Sequence, residues 1–341
     1  MDLADFDYVL PAGAIAQAPL ETRDGGRLLV IDRARGTLSD RVITDLPALL
    51  RAGDCLVVND SRVIPARVLA EDAAGKPVEL LFVEPVSEGA WRAMVRPGRR
   101  CRPGVHLRAG AARLRVVAAD EDGTRLIVRE NGAITALLET AGMPPLPPYI
   151  ARHAKPAPED WERYQTVYAR TPGSVAAPTA GLHFSDALLE RLRAAGVEVH
   201  ALTLHVGPAT FRPIKTPTIE THTLPPERAV MTAATAEAVN AARAEGRRVV
   251  AVGTTVTRTL ESAAGEDGRL AAFDGRASIY IRPGHRFRVV DALLTNFHLP
   301  RSSLLVLVSA FAGRELVLRA YRHALDAGYR FYSYGDATLI E

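Results

Sequence analysis

Apolar positions along the chain fall into two textures. Arg27–Arg33 (RLLVIDR) and Cys55–Val58 are short unbroken runs bounded by Gly or polar turns, the pattern of strands buried on both faces. Leu304–Phe311, nearly continuous in Leu, Val and Ala, reads as a further central strand. Val197–Val206 alternates and stops at Gly207-Pro208, and Tyr329–Tyr334 reads as a strand ending in Gly335-Asp336. Between these runs lie helical signals. They are Asp45–Leu50, Trp161–Tyr168, the segment from Asp186 with Ser185 as N-cap, Ala236–Glu245 closed by Gly246, the stretch after Thr254-Thr255, and Arg314–Ala327. Strands alternating with helices predict an α/β domain.

The second texture occupies the middle of the chain. From Arg67 the segments RVLAED, PVELLFVE, WRAMVRP, VHLRAG, ARLRVVAA and TRLIVRE are short, often alternating strands separated by Gly, Pro or acidic turns, which predicts an all-β unit of barrel or sandwich type. Ala133–Ala141 then reads as a short helix ended by Gly142, and Met143–Ile150 (MPPLPPYI) as a polyproline-like return. A chain of 341 residues exceeds the usual single core. The expectation is a discontinuous α/β catalytic domain, 1–65 and 146–341, interrupted by an inserted β-barrel-like domain at 66–145.

Charge changes this picture only locally. The formal net charge is +3, which by itself calls for no acidic partner. Trp91–Arg115, however, carries Arg92, Arg96, Arg99, Arg100, Arg102, Arg108, Arg113 and Arg115 without one Asp or Glu. Such a block suits RNA phosphates, with Arg96, Arg99, Arg100 and Arg102 as its densest part; the rival is a solvated basic face balanced by Glu84, Glu88, Asp120, Glu121 and Asp122. Two cysteines, Cys55 and Cys101, lie far apart, so neither a disulfide framework nor a cysteine-rich zinc site is expected. The N-terminal stretch has no basic residue ahead of its apolar runs and no run reaches membrane-spanning length, so a cytoplasmic protein with no membrane partner is expected, as a monomer.

Candidate chemistry gathers where runs end. Thr295, Asn296 and His298 form a polar knot ahead of Pro300; Thr179 and His183 sit in the Pro/Gly-bearing stretch AAPTAGLHF; His205 closes a strand beside Thr210. Asp60 and Arg62 follow the strand at Cys55, Thr254 and Thr255 open a helix bearing Arg258 and Glu261, and Asp336 follows a strand. Free N–H groups at the helix start suit a carboxylate or a polar edge. The buried carboxylates are candidates for acid or base work, against capping or pairing with an arginine. His153, His200, His285 and His323 read as structural. No phosphate-loop, dinucleotide glycine or HExxH pattern is present, so no metal is expected.

The strings FDYVLP, IAQAP, RLLVIDR, GDCLVVNDSRVIPARV, RYQTVYA, GSVAAPTAGLHF, LHVGPATFRP, VGTTVTRTLES, IRPG, LTNFHLPRSSLLVLVSAFAG and YRFYSYGDATLI, in this order from Phe6 to Ile340, resemble the S-adenosylmethionine:tRNA ribosyltransferase-isomerase family. The resemblance implies an α/β domain with an inserted β-barrel. It implies a reaction of queuosine biosynthesis in which S-adenosylmethionine, consumed as co-substrate, gives its ribosyl moiety to 7-aminomethyl-7-deazaguanine (preQ1) at the wobble position of tRNA. Adenine and methionine leave and epoxyqueuosine remains. On the matching motifs, Asp60, His183, His205, His298 and Asp336 are expected as the proton-handling core. Thr179, Thr254, Thr255 and Asn296 are expected as positioning groups, with Arg62 and Glu261 holding donor or RNA.

The chain departs from the family pattern at three places. Arg23-Asp-Gly-Gly-Arg27 replaces RDxSR, Ala209 precedes Thr210 where glycine is usual, and His222-Thr-Leu-Pro-Pro-Glu227 puts Pro225 where HxMHxE has its second histidine. Pro225 motivates one alternative, the same donor chemistry on a free 7-deazapurine nucleoside or other small acceptor. A non-catalytic RNA-binding protein is a second, against which the intact Ala177–Phe184 and Thr295–Pro300 loops count.

Overall fold

In the computed structural model, residues 1–152, 155–208 and 213–341 are described; Thr210 and His153 therefore lie outside the described residues. The chain forms two compact units. The first comprises Met1–Ser61, Gln165–Thr171 and Ala177–Glu341, the second Arg62–Tyr164 and Pro172–Ala176.

The first unit is built on a nine-stranded mixed sheet. In chain order its strands are β1 (Arg27–Asp32), β2 (Thr37–Val42), β3 (Cys55–Asn59), β4 (Glu198–Leu204), β5 (Glu227–Met231), β6 (Val249–Val252), β7 (Phe273–Ala277), β8 (Ala292–Asn296) and β9 (Ala337–Ile340). Across the sheet the order is β7-β5-β4-β3-β6-β8-β9-β1-β2. The four central strands β4, β3, β6 and β8 are mutually parallel, and β9 returns antiparallel beside β8, pairing Asn296 with Ala337. Parallel strands buried on both faces need near-continuous apolar sequence, and β3, β6, β8 and β9 are buried at every position. The period of two splits them: Leu28, Val30, Leu56, Val58, Val250, Val252, Leu294 and Leu339 join one core cluster with Phe184, Leu188, Leu189 and Leu192. The alternate set, Leu29, Ile31, Val57, Val249, Ala251 and Leu293, is fully buried on the other face.

Among the described residues, five longer helices accompany this sheet, α1 (Asp186–Ala194), α2 (Ala233–Ala244), α3 (Thr254–Ala263), α4 (Ser303–Ala312) and α5 (Arg314–Asp326), together with a single helical turn at Leu46–Leu49. Ser185 caps α1, its hydroxyl accepting from the Leu188 N–H at 3.0 Å. The expected strand Leu304–Phe311 is instead the helix α4. A short all-apolar run has no periodicity to separate a buried helix from a central strand. Ser302 decides it, accepting the Leu305 N–H at 3.2 Å as an N-cap directly after Pro300-Arg301. The expected strand Tyr329–Tyr334 is irregular, with Tyr332 at φ +75°, and the strand lies further on at Ala337–Ile340. Its aromatic rings are spent on packing: Tyr329, Phe331, Tyr321 and Phe297 form one edge-to-face and stacked cluster. The expected helix Trp161–Tyr168 shrinks to one turn, Asp160–Arg163.

The second unit contains a closed antiparallel barrel of six strands, in the order Arg125–Arg129, Ala90–Arg96, Pro77–Ser87, Arg67–Glu71, His106–Ala109 and Ala112–Ala119. Alternation fills it: Ala112–Ala119 points Ala112, Leu114 and Val116 inward, where they meet Val68, Leu80, Phe82, Trp91 and Ile127. The helix Ile134–Ala141 adds Ile134, Leu137 and Leu138 to this core. Among the described residues no helix is long and apolar enough to cross a membrane.

Candidate active site

Carboxyl ends of parallel strands are where open α/β sheets bind ligands, because the chain turns outward there and leaves a crevice. Here that edge collects Asn59-Asp60 after β3, His205-Val206 after β4, Gly253 after β6 and Asn296 at the end of β8; the antiparallel turn of β9 brings Asp336 to the same edge.

A cleft opens there, its about 470 Å³ of empty space including open solvent, lined by Ala177–Ala180, Val206, Gly253–Thr255, Thr295, Asn296, His298, Leu304, Tyr332 and Ser333. Thr179–His183 is a 3-10 turn rather than an open loop. Gly181 makes that turn possible, since a Cβ there would lie 2.1 Å from the Tyr168 hydroxyl oxygen. Gly253, at φ +93°, reverses the chain between β6 and α3 in a conformation closed to other residues.

Asn296 is the hub. It is 2% exposed, and its Nδ2 faces His183 Nε2 at 3.0 Å, Tyr332 O at 3.1 Å and Asp336 O at 3.5 Å. Both carbonyls only accept, so the amide nitrogen must face them, and the shared donor makes His183 Nε2 an acceptor on a neutral ring. Burial and then the Arg330 charge push the His183 pKa down to about 4, which fits that state. His298 is also buried, with Nε2 2.9 Å from Thr295 Oγ1, and burial pushes its pKa down to about 3. The Tyr321 hydroxyl accepts the His298 N–H at 3.1 Å, and the Tyr8 hydroxyl donates to its carbonyl, so the backbone of the knot is clamped from two sides.

The side-chain oxygens of Asp336 accept two backbone donors, Arg27 N–H at 3.0 Å on Oδ1 and Arg330 N–H at 2.7 Å on Oδ2. Its Oδ1 and His183 Nδ1 flank one point, lying 3.4 and 3.6 Å from where a Cβ on Gly26 would sit. A second polar cluster is centred on Asp60, which accepts from Thr203 Oγ1 at 2.6 Å and from Arg170 at 3.0 Å. His205 is half-buried there, with a buried Nδ1 that makes no hydrogen bond among the described residues. Burial and the Arg228 charge lower its pKa while Asp60 opposes them. Asn59 ties the strand ends together, bonding Leu204 N and O at 3.0 Å each and approaching Thr255 Oγ1 at 3.4 Å.

Of the expected residues, Thr179, Thr254, Thr255, Asn296 and His298 line the cavity, whereas Asp60, His183, His205 and Asp336 lie near the same sheet edge outside its lining. Glu261 is elsewhere: its carboxylate accepts the N–H groups of Arg288, Val289 and Val290 at 2.9, 3.0 and 3.1 Å and faces His285 at 3.4 Å. Arg258 pairs with buried Glu227. Arg62 is exposed and belongs to the barrel unit. Within that unit, Arg92, Arg108 and Arg115 face Asp120, Glu71 and Glu130, and Arg100 reaches Asp72 at 3.8 Å. Arg96, Arg99 and Arg102 make no ion pair among the described residues. Asn59, Thr203, Tyr8 and Tyr332 were not singled out by sequence; Asn59 alone had a signal, its place at the end of an apolar run. Among the described residues no group of three or more His, Cys, Asp or Glu could hold a metal.

A relative from Anaeromyxobacter dehalogenans (strain 2CP-C), named S-adenosylmethionine:tRNA ribosyltransferase-isomerase, is 52% identical over 100% of this chain and 99% of its own length. One of the same name from Thermus thermophilus is 53% identical over 99% of each. A crystal structure of S-adenosylmethionine tRNA ribosyltransferase from Thermotoga maritima matches with a TM-score of 0.58 at 35% identity, covering 99% of this chain and 100% of that one. The family model described as "Queuosine biosynthesis protein" matches residues 3–340, and the chain belongs to that family.

Proposed function

We propose that this protein transfers and isomerises the ribosyl moiety of S-adenosylmethionine onto preQ1 in tRNA, giving epoxyqueuosine-tRNA, adenine and methionine. The single observation that carries the reading is the cavity wall. Its polar groups are hydroxyl, amide and neutral imidazole, with no Lys, Arg, Asp or Glu among the described residues that line it. A sulfonium is a cation whose charge acidifies the adjacent C5′ hydrogens and makes methionine a leaving group. A wall of uncharged hydrogen-bonding side chains accepts it without pinning it in an ion pair.

The division of labour follows from the protonation states. An imidazole whose conjugate acid lies near 3 stays neutral but is a weak base, so we assign His298 to orienting the donor by hydrogen bonds and His183 to fixing Asn296. Proton transfer falls to the Asp60 and His205 cluster, where His205 Nδ1 makes no hydrogen bond among the described residues, and to Asp336, whose Oδ1 flanks the same point as His183 Nδ1. Thr179, Thr254 and Thr255 position the donor. Arg96, Arg99 and Arg102, with Arg100, are assigned to RNA phosphates. The protein is read as cytoplasmic and monomeric.

The test is mass spectrometry of RNA and small molecules after incubation with S-adenosylmethionine and preQ1-bearing tRNA. The reading expects adenine and methionine released together with a matching mass gain on the RNA. Release without gain on RNA, but with gain on a free 7-deazapurine nucleoside, moves the acceptor to a small molecule, the alternative that Pro225 motivates.

A further inference from the structure

The start of α3 is a buried helix end whose first-turn donors are unused. Gly253 is its N-cap and offers no side chain, and the Thr254, Thr255 and Val256 N–H groups have no acceptor among the described residues, the first intrahelical bond being Thr257 N–H to Gly253 O at 3.2 Å. Thr254 is 7% exposed, Thr255 is half-buried, and both residues border the cavity. Such an end holds a partial positive charge and suits an anionic acceptor.

A second, independent feature is Asn296, which lines the same cavity. Its Oδ1 is buried and makes no hydrogen bond among the described residues, while Nδ2 is committed to Tyr332 O and Asp336 O. A buried amide oxygen without a donor costs about 1–3 kcal/mol, so the site is built to receive one. One wall therefore presents donors with a helix dipole behind them, and another presents a lone acceptor.

From this juxtaposition the geometry points to a subsite for an α-amino acid zwitterion, in which the α3 N-terminus holds the α-carboxylate of the methionyl end of S-adenosylmethionine and Asn296 Oδ1 accepts from its α-ammonium. The assignment rests on the donor reading given above. The Watson–Crick edge of adenine also offers an acceptor beside a donor, but it is neutral, and the helix dipole favours a full negative charge. Anchoring methionine at this end leaves the C5′ methylene and the ribose to project toward the other groups of the edge.

Calorimetric titration separates the possibilities. Wild type is titrated with S-adenosylmethionine, with its decarboxylated analogue, with the analogue lacking the α-amine, and with S-inosylmethionine, which lacks the 6-amino group. Loss of the carboxylate or the amine is expected to weaken binding tenfold or more, and loss of the 6-amino group to matter less. Thr254→Pro removes one N–H at a position where proline is tolerated in a helix. It should bring the preference for S-adenosylmethionine over its decarboxylated analogue toward one. Thr254→Val, which keeps the N–H, should retain the preference. Asn296→Leu should bring the preference for S-adenosylmethionine over the amine-free analogue toward one, beyond any loss common to both ligands. Discrimination confined to the 6-amino group would make this the adenine subsite and overturn the assignment, as would equal loss of preference in Thr254→Pro and Thr254→Val. No binding of S-adenosylmethionine at all would sink the donor reading itself.

Discussion

Glu261→Ala is expected to damage folding and spare chemistry. Glu261 lies seven residues past Thr254 on α3, which at 1.5 Å per residue is about 10 Å along the axis from the cavity end. Its carboxylate is filled by three backbone N–H groups, and Val289 and Val290 are 2% and 4% exposed. Removing it strands two N–H groups out of reach of water, while Arg288 N–H can rehydrate. With charge-assisted bonds contributing about 1.5–3 kcal/mol each, the loss is on the order of 3–5 kcal/mol. A urea slope of about 1–3 kcal/mol per molar turns this into a midpoint shift of roughly 2 M. The two tryptophans, Trp91 and Trp161, both lie in the barrel unit, and the five longer helices of the other unit dominate the helical signal. The helical circular-dichroism transition should therefore move while the tryptophan-fluorescence transition stays. Turnover per folded molecule should stay within a few fold. An unmoved helical transition with turnover lost would refute the reasoning and make Glu261 a substrate ligand.

His298→Ala should lower turnover about a hundredfold, the scale of a misplaced donor, with a folded chain, since its backbone N–H keeps the Tyr321 contact; near wild-type turnover would make it a packing residue. His183 and His298 titrate near 4 and 3 in the folded chain and near the ordinary 6.5 when unfolded. Between those values the unfolded chain binds the extra protons, so their contribution is full above 6.5 and is lost as pH falls toward 4 and then 3. Urea midpoints measured from pH 7.5 to 4.5 should fall, and fall less steeply in His183→Gln. Replacing Arg96, Arg99, Arg100 and Arg102 by Ala should weaken tRNA binding and flatten its log–log salt slope by roughly 2–4, leaving S-adenosylmethionine affinity intact; an unchanged slope in a filter-binding titration would reduce the cluster to a solvated face.

Some of this protein was decided by sequence pattern alone. The apolar runs at Arg27–Arg33 and Cys55–Val58 became strands because a run buried on both faces tolerates no polar interruption, and the barrel strands followed because alternation has a period only a sheet satisfies. Candidate site residues were legible as polar groups at the ends of such runs, where the fold leaves backbone exposed. Leu304–Phe311 was beyond that reach, since continuous apolarity carries no period, and a cap at Ser302 with packing on both sides chose the helix. Glu261 illustrates the other limit: a carboxylate on a helix beside the site looks the same in sequence whether it faces a ligand or a loop. Only the closure of Arg288–Val290 over it decided that. Likewise, which histidines are neutral, and that Asn296 keeps one oxygen free, depend on elements over a hundred residues apart meeting at one sheet edge, and no local pattern encodes that meeting.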